Sequence, residues 1–162
     1  MSTIAAGEAQ LLHRPAETGP SYWGPGDRYT FLVTGAETGG AYFAMEALVP
    51  PGGGPGPHIH TREDETFYLL EGQVEFLLGD ERIVAGPGDF VNVRRGTVHC
   101  FRGIGDEDAR MVLTFTPAGM EGFFEETLDR APNGADDVPD NIDEVGARYA
   151  AAAARYGMTF VS

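Results

Sequence analysis

Between residues 29 and 116 the chain alternates short β-branched and aromatic runs with Gly, Pro and Asp, the pattern of a β-sandwich or barrel rather than of helices. The runs are Tyr29 to Val33, Ala41 to Val49, Phe67 to Leu70, Val74 to Leu78, Arg82 to Ala85, Phe90 to Val93, Val98 to Phe101 and Arg110 to Phe115. Eight such strands suit an all-β jelly roll. Glu71-Gly72 and Gly79-Asp80 read as hairpin turns, far too short for parallel crossovers, so the strands are expected to run antiparallel. After Pro117 the spacing changes: Met120, Phe123, Phe124, Thr127 and Leu128 predict a short helix. The Pro-, Asn-, Gly- and Asp-rich stretch Ala131 to Asp140 reads as an exposed linker. A second helix follows, beginning near Pro139 and ending near Gly157, with Ile142, Val145, Tyr149, Ala152 and Tyr156 on one face.

A chain of 162 residues is the size of one domain. The expected organisation is an N-terminal arm (1–28), a barrel (29–117) and a C-terminal helical extension packing on it (118–162). All eleven basic residues are arginine, against twenty-five acidic ones, for a net charge of −14. That balance argues against nucleic acid and anionic lipid as partners, and the absence of lysine excludes a side-chain Schiff base. Cys100 is the single cysteine, residues 1–10 carry no basic and apolar leader pattern, and no run of about 18 apolar residues occurs. A cytoplasmic location is expected, with neither export nor membrane insertion.

The chemistry concentrates in two stretches. In GGGPGPHIHTREDETFYLLEG (residues 52–72), His58 and His60 are two apart and project to one face of an extended strand, and Glu65 opens the next apolar run. In GPGDFVNVRRGTVHCF (residues 86–101), turns at Gly88-Asp89 and Arg95-Gly96 bracket a strand, and His99 stands on the one after. These residues resemble the cupin superfamily. Gly52, His58, His60, Glu65 and Gly72 match its first motif without a gap, and Gly88, Gly96 and His99 its second, with Arg94 where the family usually has Pro and Gly103 where it usually has Asn. The resemblance covers Gly40 to Pro117, about half the chain, and extends more softly to small single-barrel proteins related to quercetin dioxygenase. It implies a cupin jelly-roll barrel (double-stranded β-helix) that holds one metal ion through His58, His60, Glu65 and His99.

Three neutral imidazoles and one carboxylate suit a divalent transition metal such as Fe, Mn, Co, Ni, Cu or Zn, and are too nitrogen-rich for Ca or Mg. Four protein ligands leave a six-coordinate ion two positions for a small-molecule substrate and dioxygen, or for water. The leading expectation is a dioxygenase acting on an enol or phenol such as a flavonol, with Glu65 as catalytic base, its pKa raised by burial and lowered by the metal charge to a value compatible with base work near neutral pH. The alternatives are an isomerase, decarboxylase or hydrolase using the ion as Lewis acid, and a non-catalytic ligand-binding module. Glu63, Asp64 and His13 are read as surface residues, Arg94 and Arg95 as solvated, and Cys100 as an inert thiol on the face opposite His99. Phe67, Leu69, Phe76 and Phe101 are candidates for either the pocket wall or the barrel core. The Gly52–Gly56 stretch lacks the Gly-Lys-Ser/Thr ending of a phosphate loop. Edge strands and an apolar outer face point to a homodimer.

Overall fold

Period-two burial is the rule from which the architecture follows. In the computed structural model, which describes residues 11–161, the strands are β1 (Ser21–Trp23), β2 (Arg28–Val33), β3 (Phe43–Val49), β4 (His58–His60), β5 (Asp64–Glu71), β6 (Gln73–Leu78), β7 (Glu81–Ala85), β8 (Phe90–Val93), β9 (His99–Ile104), β10 (Ala109–Thr116), β11 (Asp129–Ala131) and β12 (Met158–Phe160). In β10, Ala109, Met111, Leu113 and Phe115 point inward and the residues between them outward. The strands form two antiparallel sheets, ordered β11-β1-β2-β3-β10-β5-β8 and β12-β4-β9-β6-β7. Their inner faces close on one core, where Phe67 of the first sheet meets Phe76 of the second with ring centroids 4.9 Å apart. The chain therefore has the expected all-β jelly roll with a short helical C-terminal part. The first ten residues of the expected N-terminal arm lie outside the described residues.

All eight anticipated strands are present, with one connection different from expectation. Gly79-Asp80 is a true two-residue hairpin, pairing Leu78 with Glu81, and Gly79 adopts the positive φ of 62° that such a loop requires. Glu71-Gly72 is not a hairpin, because β5 pairs with β8 and β10 whereas β6 pairs with β7 and β9. Gly72 (φ 71°) instead turns the chain from one sheet to the other, so close to β10 that a Cβ there would lie 2.7 Å from the Ala109 Cα. A reversal at glycine serves a hairpin and a corner equally well, so the local signal does not separate them.

Three short strands lie outside residues 29–117, since β1, β11 and β12 all join the sheets. The helices are α1 (Gly35–Thr38), α2 (Met120–Thr127) and α3 (Ile142–Ala152), the last running into a 3-10 turn at Ala153–Tyr156. Helix α3 buries Val145, Tyr149 and Ala152, but Ile142 is 37% exposed and lies against Gly26 rather than in the core. No described helix is long and apolar enough to cross a membrane.

Phe123 of α2 is fully buried and packs edge-on against Phe124 and Tyr156 and at a tilt against Tyr149, joining the helices into one layer. Phe123→Ala should lower the unfolding free energy by about 3–5 kcal/mol in urea denaturation, the cost of deleting a buried aromatic ring. Val84→Ala, at a position 55% exposed on β7, should change it by less than about 0.5 kcal/mol. Similar losses at the two positions would mean that the helical layer does not share the barrel's core.

Candidate metal centre

Strand β4 is only three residues long, and its alternation turns His58 and His60 inward with Ile59 between them facing out. Its neighbours hold it in place: β9 pairs His99 with His58, and β12 pairs Met158 with His60 and Phe160 with His58. Glu65 points inward from β5 in the other sheet, opposite Phe115 of β10. The four residues are at most 5% exposed, and their ligand atoms all lie within 4.8 Å of one another. The structure thus brings His58, His60, Glu65 and His99 to one point between the sheets.

Hydrogen bonds orient the donors. The Nδ1 of His58 lies 2.8 Å from the Gly56 carbonyl and that of His99 2.9 Å from the Thr97 carbonyl. A carbonyl can only accept, so each Nδ1 donates to it and each Nε2 faces the centre, the nitrogen that would bind an ion once it carries no proton. One Glu65 oxygen, Oε2, lies 2.9 Å from His99 Nε2 and 3.3 Å from His60 Nε2. Burial, reinforced by repulsion from His99 and His60, pulls the His58 imidazole down to about 3 and keeps it neutral. Burial pushes the Glu65 carboxyl up, but hydrogen bonds and charge from His60 and His99 outweigh it and hold Glu65 well below the usual carboxylate range. Burial also opposes charge on His99, yet its bond to Glu65 raises its pKa. A neutral imidazole and an ionised carboxylate are the forms that bind metal. The buried cluster can hold a metal ion, and its donor set fits a transition metal.

The acidic run beside the ligands is corrected by the structure. Glu63 is buried at 4% exposure, not solvated, and its Oε2 lies 3.9 Å from His60 Nδ1; both atoms lack a hydrogen-bond partner. The bend between β4 and β5 folds this side chain inward, which charge along the sequence does not reveal. Asp64 accepts from the Arg95 backbone N–H at 2.9 Å, and that bond, with the Arg95 and Arg94 guanidiniums, lowers its pKa to about 2. Arg94 and Arg95 therefore brace the turn between β8 and β9 and remain largely exposed. His13 is exposed, and Cys100 is half-buried on the opposite face of β9 from His99, with burial raising its thiol pKa.

His58, His60 and Glu65 form part of the wall of a narrow, partly open cavity whose free volume of about 20 Å³ is room for about one water molecule. Of the four candidates for the pocket wall only Phe101 lines it; Phe67, Leu69 and Phe76 are wholly buried in the core. Much of the remaining wall was not anticipated: Tyr29 and Phe115 come from the barrel, and Phe123, Phe124 and Tyr149 from α2 and α3. Helical spacing marks the last three as buried, but only the chain's return over the barrel mouth brings them to the site.

A family model described as "Cupin domain" matches residues 45–115. Among curated proteins, quercetin 2,3-dioxygenase of Bacillus subtilis (strain 168) is 33% identical over 111 residues, 62% of this chain and 32% of the relative. The chain thus spans about a third of that relative's length. "Polyketide synthase CurC" of Streptomyces cyaneus is 32% identical over 115 residues, covering 70% of this chain and 73% of the relative. Among solved structures, a predicted oxalate decarboxylase from Thermotoga maritima superimposes with a TM-score of 0.60 at 21% identity, over 66% of this chain and 99% of the other. An RmlC-like cupin from Shewanella frigidimarina gives 0.59 at 18%, over 70% and 96%. At such identities the structural likeness concerns the fold.

Purified protein should carry about one divalent transition metal per chain by elemental analysis and lose it to chelators. Replacing His58, His60 or His99 by Ala should abolish retention after desalting while the far-ultraviolet spectrum stays that of the folded barrel. Glu63→Ala, which removes the carboxylate beside the outer nitrogen of His60, should weaken metal affinity by about 10–100-fold in a competition titration. Unchanged affinity would show that Glu63 does not support His60.

Proposed function

The chain belongs to the cupin family, and on that premise we propose that it is a metal-dependent enzyme, a dioxygenase acting on a small enol or phenol of the flavonol kind. The observation that carries this reading is a three-histidine, one-glutamate cluster opening on an aromatic cavity whose lining includes no arginine. A dicarboxylate substrate would need a cationic partner in so buried a place, whereas a neutral, planar enol or phenol needs only apolar walls and a hydrogen-bonding end. The relationship to quercetin 2,3-dioxygenase points the same way.

In this reading His58, His60, His99 and Glu65 hold the ion, which when bound supplies a positive charge to a substrate oxygen and, if redox-active, a route for electrons to dioxygen. Phe101, Phe115, Phe123 and Phe124 exclude water and offer faces against which a planar ring can lie. Glu65 accepts the substrate's hydroxyl proton at Oε2, the oxygen already within reach of two imidazoles. The bonds from His60 and His99 outweigh burial and hold the Glu65 pKa low. That observation supports a second reading, in which Glu65 stays a fixed ligand and the ion alone acts as Lewis acid.

We also propose a cytoplasmic homodimer. A single half-buried thiol suits a reducing compartment. On the outer face, Tyr68 and Phe90 pair across β5 and β8 at 46% and 63% exposure, and β8 is a sheet edge.

Oxygen uptake with flavonols and other enols, measured on protein loaded in turn with Fe, Mn, Co, Ni, Cu and Zn, tests the leading reading; uptake by no form on any substrate would overturn it. Glu65→Gln should keep much of its metal and lose at least about 100-fold in turnover if Glu65 is the base. Full turnover by the metal-loaded variant would leave the Lewis-acid reading. Light scattering should give a mass near twice 17.3 kDa, and a value near 17.3 kDa would exclude the dimer.

A further inference from the structure

The cavity has a second polar group that the metal centre does not use. Tyr29 from β2 and Tyr149 from α3 line it, exposed by only 2% and 3%. Beside them Asp27 is fully buried, and neither its carboxylate oxygens nor the Tyr149 hydroxyl has a hydrogen-bond partner outside this cluster of three. Gly24 shows how close the groups sit: a Cβ there would lie 2.2 Å from Asp27 Oδ1 and 2.9 Å from Tyr29 Cζ, so the carboxyl rests against the hydroxyl end of the Tyr29 ring. Burial raises the pKa of Asp27 well above its usual value and those of both tyrosines above theirs, so all three favour their neutral, proton-bearing forms.

The fold does not account for this cluster. The turn between β1 and β2 is closed by the Gly24 N–H donating to the backbone carbonyl of Asp27 at 2.8 Å, and Gly26 N–H donates to Asn141 Oδ1 at 3.0 Å. Neither bond uses the Asp27 side chain. Hydroxyls passed in series from Asp27 through the two phenols leave one O–H without an acceptor, and buried polar groups are costly unless paired. Apart from the metal ligands and these tyrosines, the lining side chains are apolar, so the missing partner is not supplied by the wall. An anionic partner is disfavoured by the carboxyl groups of Asp27 and Glu65 and by the absence of arginine from the lining.

We propose that Tyr29 and Tyr149, positioned by Asp27, form a subsite that hydrogen-bonds a second, neutral oxygen of the substrate, a phenol carried on the same aromatic skeleton but on a ring away from the enol that meets the metal. This rests on the reading of the substrate as an enol or phenol. The subsite makes the enzyme selective among flavonol-like compounds for those oxygenated away from the enol, since a skeleton lacking that oxygen leaves the phenols unpaired.

The test uses zinc-loaded protein under anaerobic conditions, where binding is read without turnover, and two probes that share the enol: 3-hydroxyflavone and the ring-hydroxylated flavonol quercetin. Wild type should bind quercetin at least about tenfold more tightly, as one hydrogen bond can supply. Tyr29→Phe and Tyr149→Phe should bring that ratio near unity while the affinity for 3-hydroxyflavone stays within about twofold, and Asp27→Asn should fall between. Thermal melts and metal content check that each variant is folded. The two Phe variants keep their rings, so they decide the matter if Asp27→Asn does not fold. No preference in wild type, a ratio preserved in both Phe variants, or binding of neither probe overturns the subsite. A preference lost in the Phe variants, combined with no oxygen uptake by any metal form, would sustain the subsite and remove the dioxygenase reading.

Discussion

Taking three imidazoles and a carboxylate out of water is the constraint on which this structure turns. An isolated buried carboxylate would be neutralised by desolvation alone, yet Glu65 remains ionisable because two imidazole nitrogens face its Oε2. Likewise, His58 and His99 are fixed by carbonyls of their own approach segments, Gly56 and Thr97, each two residues before the ring it orients. The strand geometry supplies these acceptors locally, so the donor set is pre-organised by backbone rather than by other side chains. His60 is the exception, since its outer nitrogen faces Glu63 and no backbone oxygen.

The same constraint explains why strands that look dispensable are present. A three-residue strand such as β4 has little stability of its own, and β9 touches it in register only at His58. Strand β12, returning from the far end of the chain, supplies the other side, pairing with all three of its residues. Gly157 makes that return possible: its φ of 69° lets the chain leave the 3-10 turn and drop into the sheet, and a Cβ there would lie 2.7 Å from Thr61 Oγ1. The C-terminal segment is therefore part of the apparatus that places two ligands.

Much of this was legible in the sequence. Runs such as Arg110 to Phe115 alternate cleanly because one face meets the core and the other water, so both element and buried face could be read directly. The His58, His60, Glu65 and His99 cluster was legible through spacing, two residues on one strand and fixed offsets across turns. Three-residue strands such as β11 and β12 were not, because too few positions exist to show a period and their pairing is decided by distant partners. Glu63 was misread because a run of three acids looks alike whether its first member faces solvent or a ligand. The destination of Glu71-Gly72 was hidden because both turn types need the same glycine.

What the sequence conceals most fully is the composition of the cavity, and the reason is topological. Tyr29, Phe115, Phe123 and Tyr149 are separated by up to 120 residues along the chain, and each is individually an ordinary core residue. Only when α2 and α3 fold over the barrel do their inner faces become the wall opposite solvent for the metal ligands. The aromatic contacts that stabilise this layer, Phe123 with Tyr149 and Tyr29 with Phe124, are therefore also the contacts that shape the cavity. Stability and selectivity share the same side chains, so substitutions that enlarge the cavity also loosen the helical cap. The tyrosine hydroxyls escape that coupling, because removing one oxygen leaves the ring packing in place.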